Sequence, residues 1–342
     1  MVRSALLALC LGAALPLRAA GPETDAASAR QGFGIFPAMS AIHFQAPSWP
    51  ATPTIHSDLD FSNVTWPAQL IPEDRVALTL ALNISGSYEG RDGWASIAGN
   101  FDGQGVSLGL LNQCLGQGTL QSLLIRMRDE HPDTLAVIFS TDHLKSLMGM
   151  LDRWQQDVVS SAEIPGRLSL LDEPMAAGQA EAASQASVAW AKSNLYHDDG
   201  FDPVWKTELT TLAAHPQYVS FQIAAALRYH EQALAYAAQV ELRELRAYLM
   251  LFDVVVQNGG FYPEDMSGYA AYTAAAPQAT STQKLQKLLA LRLRHVRKKY
   301  AADVRSRKSA IILGTGTVHG TKRDLPHEYS YDPLWPYRQA AE

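Results

Sequence analysis

The chain has 342 residues, with 28 Lys and Arg against 34 Asp and Glu, for a net charge of −6. At 47% hydrophobic and 18% charged it can bury a core, so it is not a disordered tail, and a pI near 5.9 excludes a nonspecific nucleic-acid protein. Two cysteines, Cys10 and Cys114, exclude a disulfide scaffold and a cysteine-built zinc site, and no later apolar run reaches the ~20 residues of a membrane span.

The N-terminus has a short basic start ending at Arg3, an apolar run from Ser4 to Leu17, and small residues at Ala19 and Ala20. This reads as a secretory signal peptide over residues 1–20 and predicts a secreted or periplasmic protein; the alternative is a short membrane anchor, against which the apolar run falls short of the ~20 residues of a span. Leu9 occupies the place before Cys10 where a lipoprotein site needs a small residue, and Ala27-Ser28-Ala29 is a second cleavage candidate. Residues 21–68 read as an extended arm, because Pro37, Pro47, Pro50, Pro53 and Pro67 recur without helical period. Phe36, Phe44, Trp49, Phe61 and Trp66 suggest that part of it packs on the body. The main domain is placed at 69–330, with a tail at 331–342.

A helix starts at Pro72, where proline suits the first position and Glu73 and Asp74 suit the positive end of the helix dipole. Val76, Leu80 and Ile84 share a face, and the helix should end near Tyr88-Glu89-Gly90. Over 91–113, glycines interleave with Trp94, Ile97, Phe101, Val106 and Leu108, which predicts a small antiparallel sheet. Further helices are predicted at about 117–130, 141–160, 174–193, from Asp202-Pro203 to about 213, 216–237, 241–257 and 280–303. No internal repeat is present.

Two acids frame the glycine-rich segment, Glu89 at a helix end and Asp102 within Asn100-Phe101-Asp102-Gly103-Gln104-Gly105. Hydrolysis of a glycosidic bond needs one carboxyl to protonate the leaving oxygen and a second across the bond. The acid needs an apolar, partly dry setting, which Tyr88 and the preceding helix can supply. Asp102, among glycines and Asn100, has the hydrogen bonds and water that keep a carboxylate ionised. A helix-end Glu opposite a carboxylate on a small sheet resembles the lysozyme arrangement. The alternatives are a solvated helix end for Glu89 and an ordinary turn residue for Asp102.

Asp102, Gly103, Gly105, Ser107, Gly109, Leu110, Leu111, Cys114, Gly116 and Gly118 together form a skeleton of Asp-Gly-x-Gly, a hydroxyl, Gly, two aliphatics, Cys and Gly-x-Gly. This segment resembles the region around the catalytic aspartate of the chitosanases of glycoside hydrolase family 46. It is also similar to chitosanase-like muramidase domains of bacterial effectors and phage enzymes. Weaker likenesses follow at Phe252-Asp253 with Gln257-Asn258-Gly259-Gly260, and at Gly316-Thr317-Val318-His319-Gly320. The resemblance implies an α+β, mostly helical, lysozyme-like fold of two lobes with a glycan cleft between them. It implies Glu89 as general acid, Asp102 as general base, and Ser107 in place of a threonine that holds the attacking water. An inverting enzyme needs space for that water, so the carboxyls should stand roughly 6.5–9.5 Å or more apart. Two positions depart from the family. Gln104 replaces an arginine, and Thr119 replaces an aspartate that recognises the glucosamine amine. The second change removes an ionic contact to a polycation and directs the expectation toward a neutral or N-acetylated sugar in that subsite, with peptidoglycan as the substrate and chitosan as the alternative.

Asp253 lies in the apolar run from Leu249 to Val256, so it is either a buried brace for Arg305 or Arg307 near the acid, or a polar residue on an exposed stripe. Gln257 and Asn258 either line a sugar subsite or simply end a helix at Gly259. His319 either meets substrate or makes a structural hydrogen bond. Cys114 reads as a small buried filler. The basic run Arg292, Arg294, Arg297, Lys298 and Lys299 reads as a solvated face or as a contact to an anionic cell envelope. Tyr196, His197, Trp205 and Tyr229 offer stacking surface, although helical aromatics usually belong to a core. No metal or cofactor is expected, no nucleic-acid partner is expected, and a protein partner is left open.

Overall fold

The computed structural model describes residues 54–90, 92–160, 177–197 and 200–337. The expected signal peptide and the arm before residue 54, with Phe36, Phe44 and Trp49, lie outside the described residues. The described end of the arm lies on the body. Phe61 stacks on Trp66 at 5.4 Å and meets the Trp94 ring edge-on. Ser57 Oγ and the Asp58 N–H both donate to Asn83 Oδ1.

Helix α1 spans Pro72–Glu89 and begins as its proline and acids dictate. Every residue from Ala77 to Gly86 is buried, so α1 is a central helix and not one with a single apolar face. Each of its buried leucines contributes about 1.5–3 kcal/mol of transfer free energy. After α1 comes the expected sheet: β1 (Ile97–Ala98), β2 (Ser107–Leu108) and β3 (Gln113–Cys114), antiparallel in that order, with Ile97 opposite Leu108 and Ser107 opposite Cys114. The strands are short because Gly103, Gly105 and Gly109 take positive φ and turn the chain.

Helices α2 (Thr119–Glu130), α3 (Pro132–Ile138), α4 (Thr141–Ser160) and α5 (Ala177–Asn194) follow. A hairpin of β4 (Tyr196–His197) and β5 (Gly200–Phe201) then leads into α6 (Pro203–Ala214). Asp202 Oδ1 caps α6 by accepting from the Val204 and Trp205 N–H groups, as its sequence predicts. These helices enclose one core, around Leu120, Leu124, Leu151, Trp154, Trp190 and Trp205. The remaining elements are α7 (Pro216–Gln239), α8 (Leu245–Asn258), α9 (Pro263–Ala275), α10 (Ser281–Leu293) and α11 (Lys298–Leu313). They are followed by hairpin β6 (Thr315–Val318) and β7 (Thr321–Asp324), and by α12 (Leu325–Tyr329). With α1 they enclose a second core that includes Leu80, Ile84, Leu249, Phe252, Leu288 and Ile311. Helix α7 serves both, with Ile223 in one core and Phe221 in the other. The fold is therefore α+β and mostly helical, with two hydrophobic cores and small antiparallel sheets.

The helix predicted over 280–303 is two helices, α10 and α11, broken at Arg294–Arg297. The break lets Arg294 and His295 turn to the fully buried Asp265 carboxylate of α9, at 3.4 and 3.1 Å. A buried acid without partners costs several kcal/mol, more than one interrupted helical turn. The basic run is also not one solvated face. Arg292 is buried and donates to the carbonyls of Gly260 and Asn258, both at 2.8 Å. Trp335 and Tyr337, from the segment assigned to the tail, are buried, and Tyr337 Oη donates to Asp74 Oδ1 at 2.7 Å. Among the described residues no helix is long and apolar enough to cross a membrane.

Candidate active site

Glu89 is the last residue of α1, and its position follows from a close approach. At Gly86 a Cβ would stand 2.3 Å from Leu110 Cδ1, so only glycine lets the end of α1 lie against the turn between β2 and β3. The Glu89 side chain is 8% exposed, and both of its oxygens are engaged. Arg307 Nη1, from α11, donates to Oε1 at 2.6 Å, and Asn112 Nδ2, from that turn, donates to Oε2 at 3.2 Å.

Arg307 is itself buried, with its guanidinium carbon 4.9 Å from the Tyr88 ring centroid. Its Nη2 donates to Asp253 Oδ1 at 2.7 Å, and Lys308 Nζ donates to Asp253 Oδ2 at 2.7 Å. Asp253 is thus a buried brace for an arginine that holds the acid, and the arginine is Arg307. Lys308, fully buried on the same carboxylate, was not expected. From Lys308 the network continues outward. Its ammonium donates to Gln257 Oε1, Gln257 Nε2 donates to Asp303 Oδ2 at 2.9 Å, and Asp303 Oδ1 meets His319 Nε2 in the β6–β7 turn. Glu89, Asp253, Gln257 and His319, scattered along the sequence, therefore lie on one continuous polar chain. Gln257 and His319 have structural partners in it.

The electrostatics follow from this geometry. Burial alone would push the Asp253 carboxyl up, but Arg307 and Lys308 outweigh it and hold it below the usual carboxylate range. Burial would lower Arg307, yet Asp253 and Glu89 more than offset it, and the guanidinium stays charged. Lys308 is the group that gives way: burial depresses it to about 8, with Asp253 compensating only in part. Burial also raises the Asp303 carboxyl, but His319 and Arg307 bring it below the ordinary value.

Asp102 closes a short 3-10 turn, Asn100–Asp102, between β1 and β2. It is half-buried; Oδ1 accepts from the Gln104 N–H at 3.1 Å, and Oδ2 accepts no hydrogen bond from the described residues. The loop is pinned to the lobe of α2–α6. Tyr196 Oη donates to the Gly105 carbonyl at 2.6 Å, and a Cβ at Gly105 would meet Val188 Cα of α5 at 3.3 Å. Burial pushes the Tyr196 phenol up to about 12, and the nearby Asp102 charge adds to this. One acid is therefore braced by the lobe that holds α11, and the other stands on a loop braced by the lobe that holds α5.

The other expected residues have these places. Ser107 is buried on β2 opposite Cys114. Gln104 turns inward, its Oε1 3.5 Å from Cys114 Sγ and against Gly116. Thr119 Oγ1 accepts from the Cys114 N–H and donates to the Cys114 carbonyl, which closes the turn before α2. Cys114 is buried. Asn258 gives its carbonyl to Arg292, while its buried Oδ1 has no hydrogen-bond partner among the described residues. Trp205 belongs to the core, stacked on His143. Asn112 and Lys308 escaped sequence reading. For Lys308 the available signal was its place just before the apolar run Ala310–Leu313; nothing local marked Asn112. No group of three or more metal-ligating side chains occurs among the described residues.

No family model matches the chain, and no curated protein matches it. Among solved structures it is similar to a glycoside hydrolase family 46 chitosanase of Gynuella sunshinyii in complex with chitotetraose. The identity is 16% over 74% of this chain and 98% of that one, with a TM-score of 0.43. It is also similar to the native chitosanase of Bacillus subtilis MY002, at 14% identity over 75% of this chain and 97% of that one, with a TM-score of 0.46.

Proposed function

We propose that this chain is a glycoside hydrolase that cleaves β-1,4 bonds of an amino-sugar polymer by inverting single displacement, with peptidoglycan as the substrate and the secreted or periplasmic space as its place of action. The observation that carries the reading is the unequal environment of two carboxyls. Glu89 is nearly enclosed and held by Arg307 and Asn112, whereas Asp102 is half-exposed on a glycine turn of the other lobe. Two carboxyls with different surroundings are what an acid and a base require. Glu89 gives a proton to the leaving oxygen, and Asp102, with Ser107, activates the water. The reaction needs no cofactor. Peptidoglycan is preferred because Thr119 supplies no carboxylate for a glucosamine amine and spends its hydroxyl on Cys114.

The test is digestion of purified sacculi and of chitosan, with mass spectrometry of the products. Muropeptides with a new reducing end are expected, and Glu89→Gln and Asp102→Asn should each lower the rate by at least about 100-fold. Chitosan oligomers released while sacculi stay intact would reverse the substrate. Full activity in either variant would remove the assigned roles, and a wild type that cleaves neither polymer would leave a glycan-binding envelope protein in place of an enzyme.

A further inference from the structure

Asn112 is one of four non-glycine residues with positive φ among the described residues, at φ 52°. Asparagine tolerates the left-handed region better than most side chains, but glycine would enter it more cheaply. The turn itself is closed by the backbone, through the Asn112 N–H to the Gly109 carbonyl at 3.1 Å. What the side chain adds over glycine is its amide, which reaches back 23 positions to Glu89 Oε2.

The two partners of Glu89 differ in kind. The Arg307 guanidinium has donors only, so while it occupies Oε1 that oxygen cannot carry a proton pointing at it. An amide has both a donor and an acceptor. With Nδ2 toward Glu89 it serves the carboxylate; turned about its terminal torsion by about 180°, it presents Oδ1 to a carboxylic acid. The geometry points to Asn112 as the positioning residue that places the transferable proton of Glu89 on Oε2 and accommodates both protonation states. This rests on Glu89 being the acid of the proposed reaction. Among the described residues, the charged and titratable groups around Glu89 are Arg307 of α11, with Asp253 of α8 and Lys308 behind it, and Tyr88 with Arg323 of β7 over its ring.

The test compares Asn112→Gly and Asn112→Asp with the wild type. Glycine suits the turn, so its melting temperature should match or exceed that of the wild type, while kcat falls about tenfold or more at unchanged KM. Aspartate keeps an acceptor, loses the donor and adds a like charge, so the alkaline limb of the kcat profile should move up by about one pH unit. The same shift is read without catalysis, from the Glu89 carboxyl resonance of carbon-labelled protein titrated in the wild type and in Asn112→Asp. A Glu89 titration that moves up supports the assignment even if no glycan is cleaved, in which case only the proposed function falls. Coincident titration curves, or an Asn112→Gly enzyme with wild-type kcat, would overturn the role given to Asn112.

Discussion

Replacing Asp253 with Asn keeps the shape of the side chain and removes the charge on which two buried cations rest. Arg307 and Lys308 donate to its two oxygens, and all three side chains are at most 2% exposed. Asp253 offsets one of these two buried positive charges, and the substitution leaves that charge uncompensated. Arg307 cannot shed it, because a guanidinium does not deprotonate in a protein. Lys308 can. Its ammonium is already depressed to about 8, so at pH 7.5 neutralising it costs under about 1 kcal/mol. Arg307 in turn loses a charge-assisted hydrogen bond worth about 1.5–3 kcal/mol. The expected destabilisation is about 2–4 kcal/mol. The sign of the pH dependence follows from Lys308. In the wild type it is protonated in both folded and unfolded chains below pH 8, so it contributes no slope there. In Asp253→Asn its folded value drops further while the unfolded value stays near 10.5, so the unfolded chain binds about one more proton. Relative to the wild type, stability of the variant should then rise by about 1.4 kcal/mol per pH unit from near neutrality up to about pH 8, above which the wild-type Lys308 is also neutral in the folded chain and the two curves run parallel. Urea denaturation between pH 6 and 9, followed by circular dichroism and tryptophan fluorescence, measures both quantities. A cost under about 1 kcal/mol, or parallel pH curves for the two proteins below about pH 8, would refute the picture of Asp253 compensating a buried charge.

Gly109→Ala and Gly103→Ala form a matched pair, since both positions have φ 82° but only at Gly109 does a Cβ strike a neighbour, Gln222 Oε1 at 2.3 Å. That oxygen accepts from the Leu110 N–H at 2.9 Å, so Gly109→Ala should cost about 1–3 kcal/mol more than Gly103→Ala; equal melting temperatures would show that Gln222 does not tie the sheet to α7. Burial raises the Tyr88, Tyr218 and Tyr331 phenols above 10, so their protonated forms stabilise the fold fully below pH 10, and this contribution is lost as pH rises beyond it. Tyrosinate absorbance should accordingly appear in two stages, exposed rings first and these three only with unfolding; a single smooth titration of all tyrosines would contradict it. Arg292→Lys should cost about 1.5–3 kcal/mol in thermal unfolding, because a single ammonium cannot serve both the Asn258 and Gly260 carbonyls; a melting temperature within one degree or so of wild type would show that the two bonds are dispensable.

Much of the helical framework was legible locally. Pro72 with its acids fixed the start of α1, Asp202-Pro203 fixed α6, and glycine spacing fixed a small sheet between Glu89 and Asp102. Helices α3 and α9 were not anticipated, although Pro132 with Asp133 and Pro263 with Glu264 carry the same start signal as Pro72. Their apolar content is too short or too uniform to show a period. The break between α10 and α11 had no local cause at all, since it answers to Asp265 on another helix.

The site divides in the same way. Sequence alone determined that a helix would end at Glu89 and that Asp102 would sit in a glycine turn, because backbone sterics and helix capping act over a few residues. Tertiary structure alone decided what surrounds the acid. Arg307 lies 218 positions from Glu89 and Asn112 lies 23 away, and which charge compensates a buried carboxyl is set by whatever packing brings within about 3 Å. Periodicity carries no record of that choice, since the energy of a buried charge belongs to its whole neighbourhood and not to its own segment.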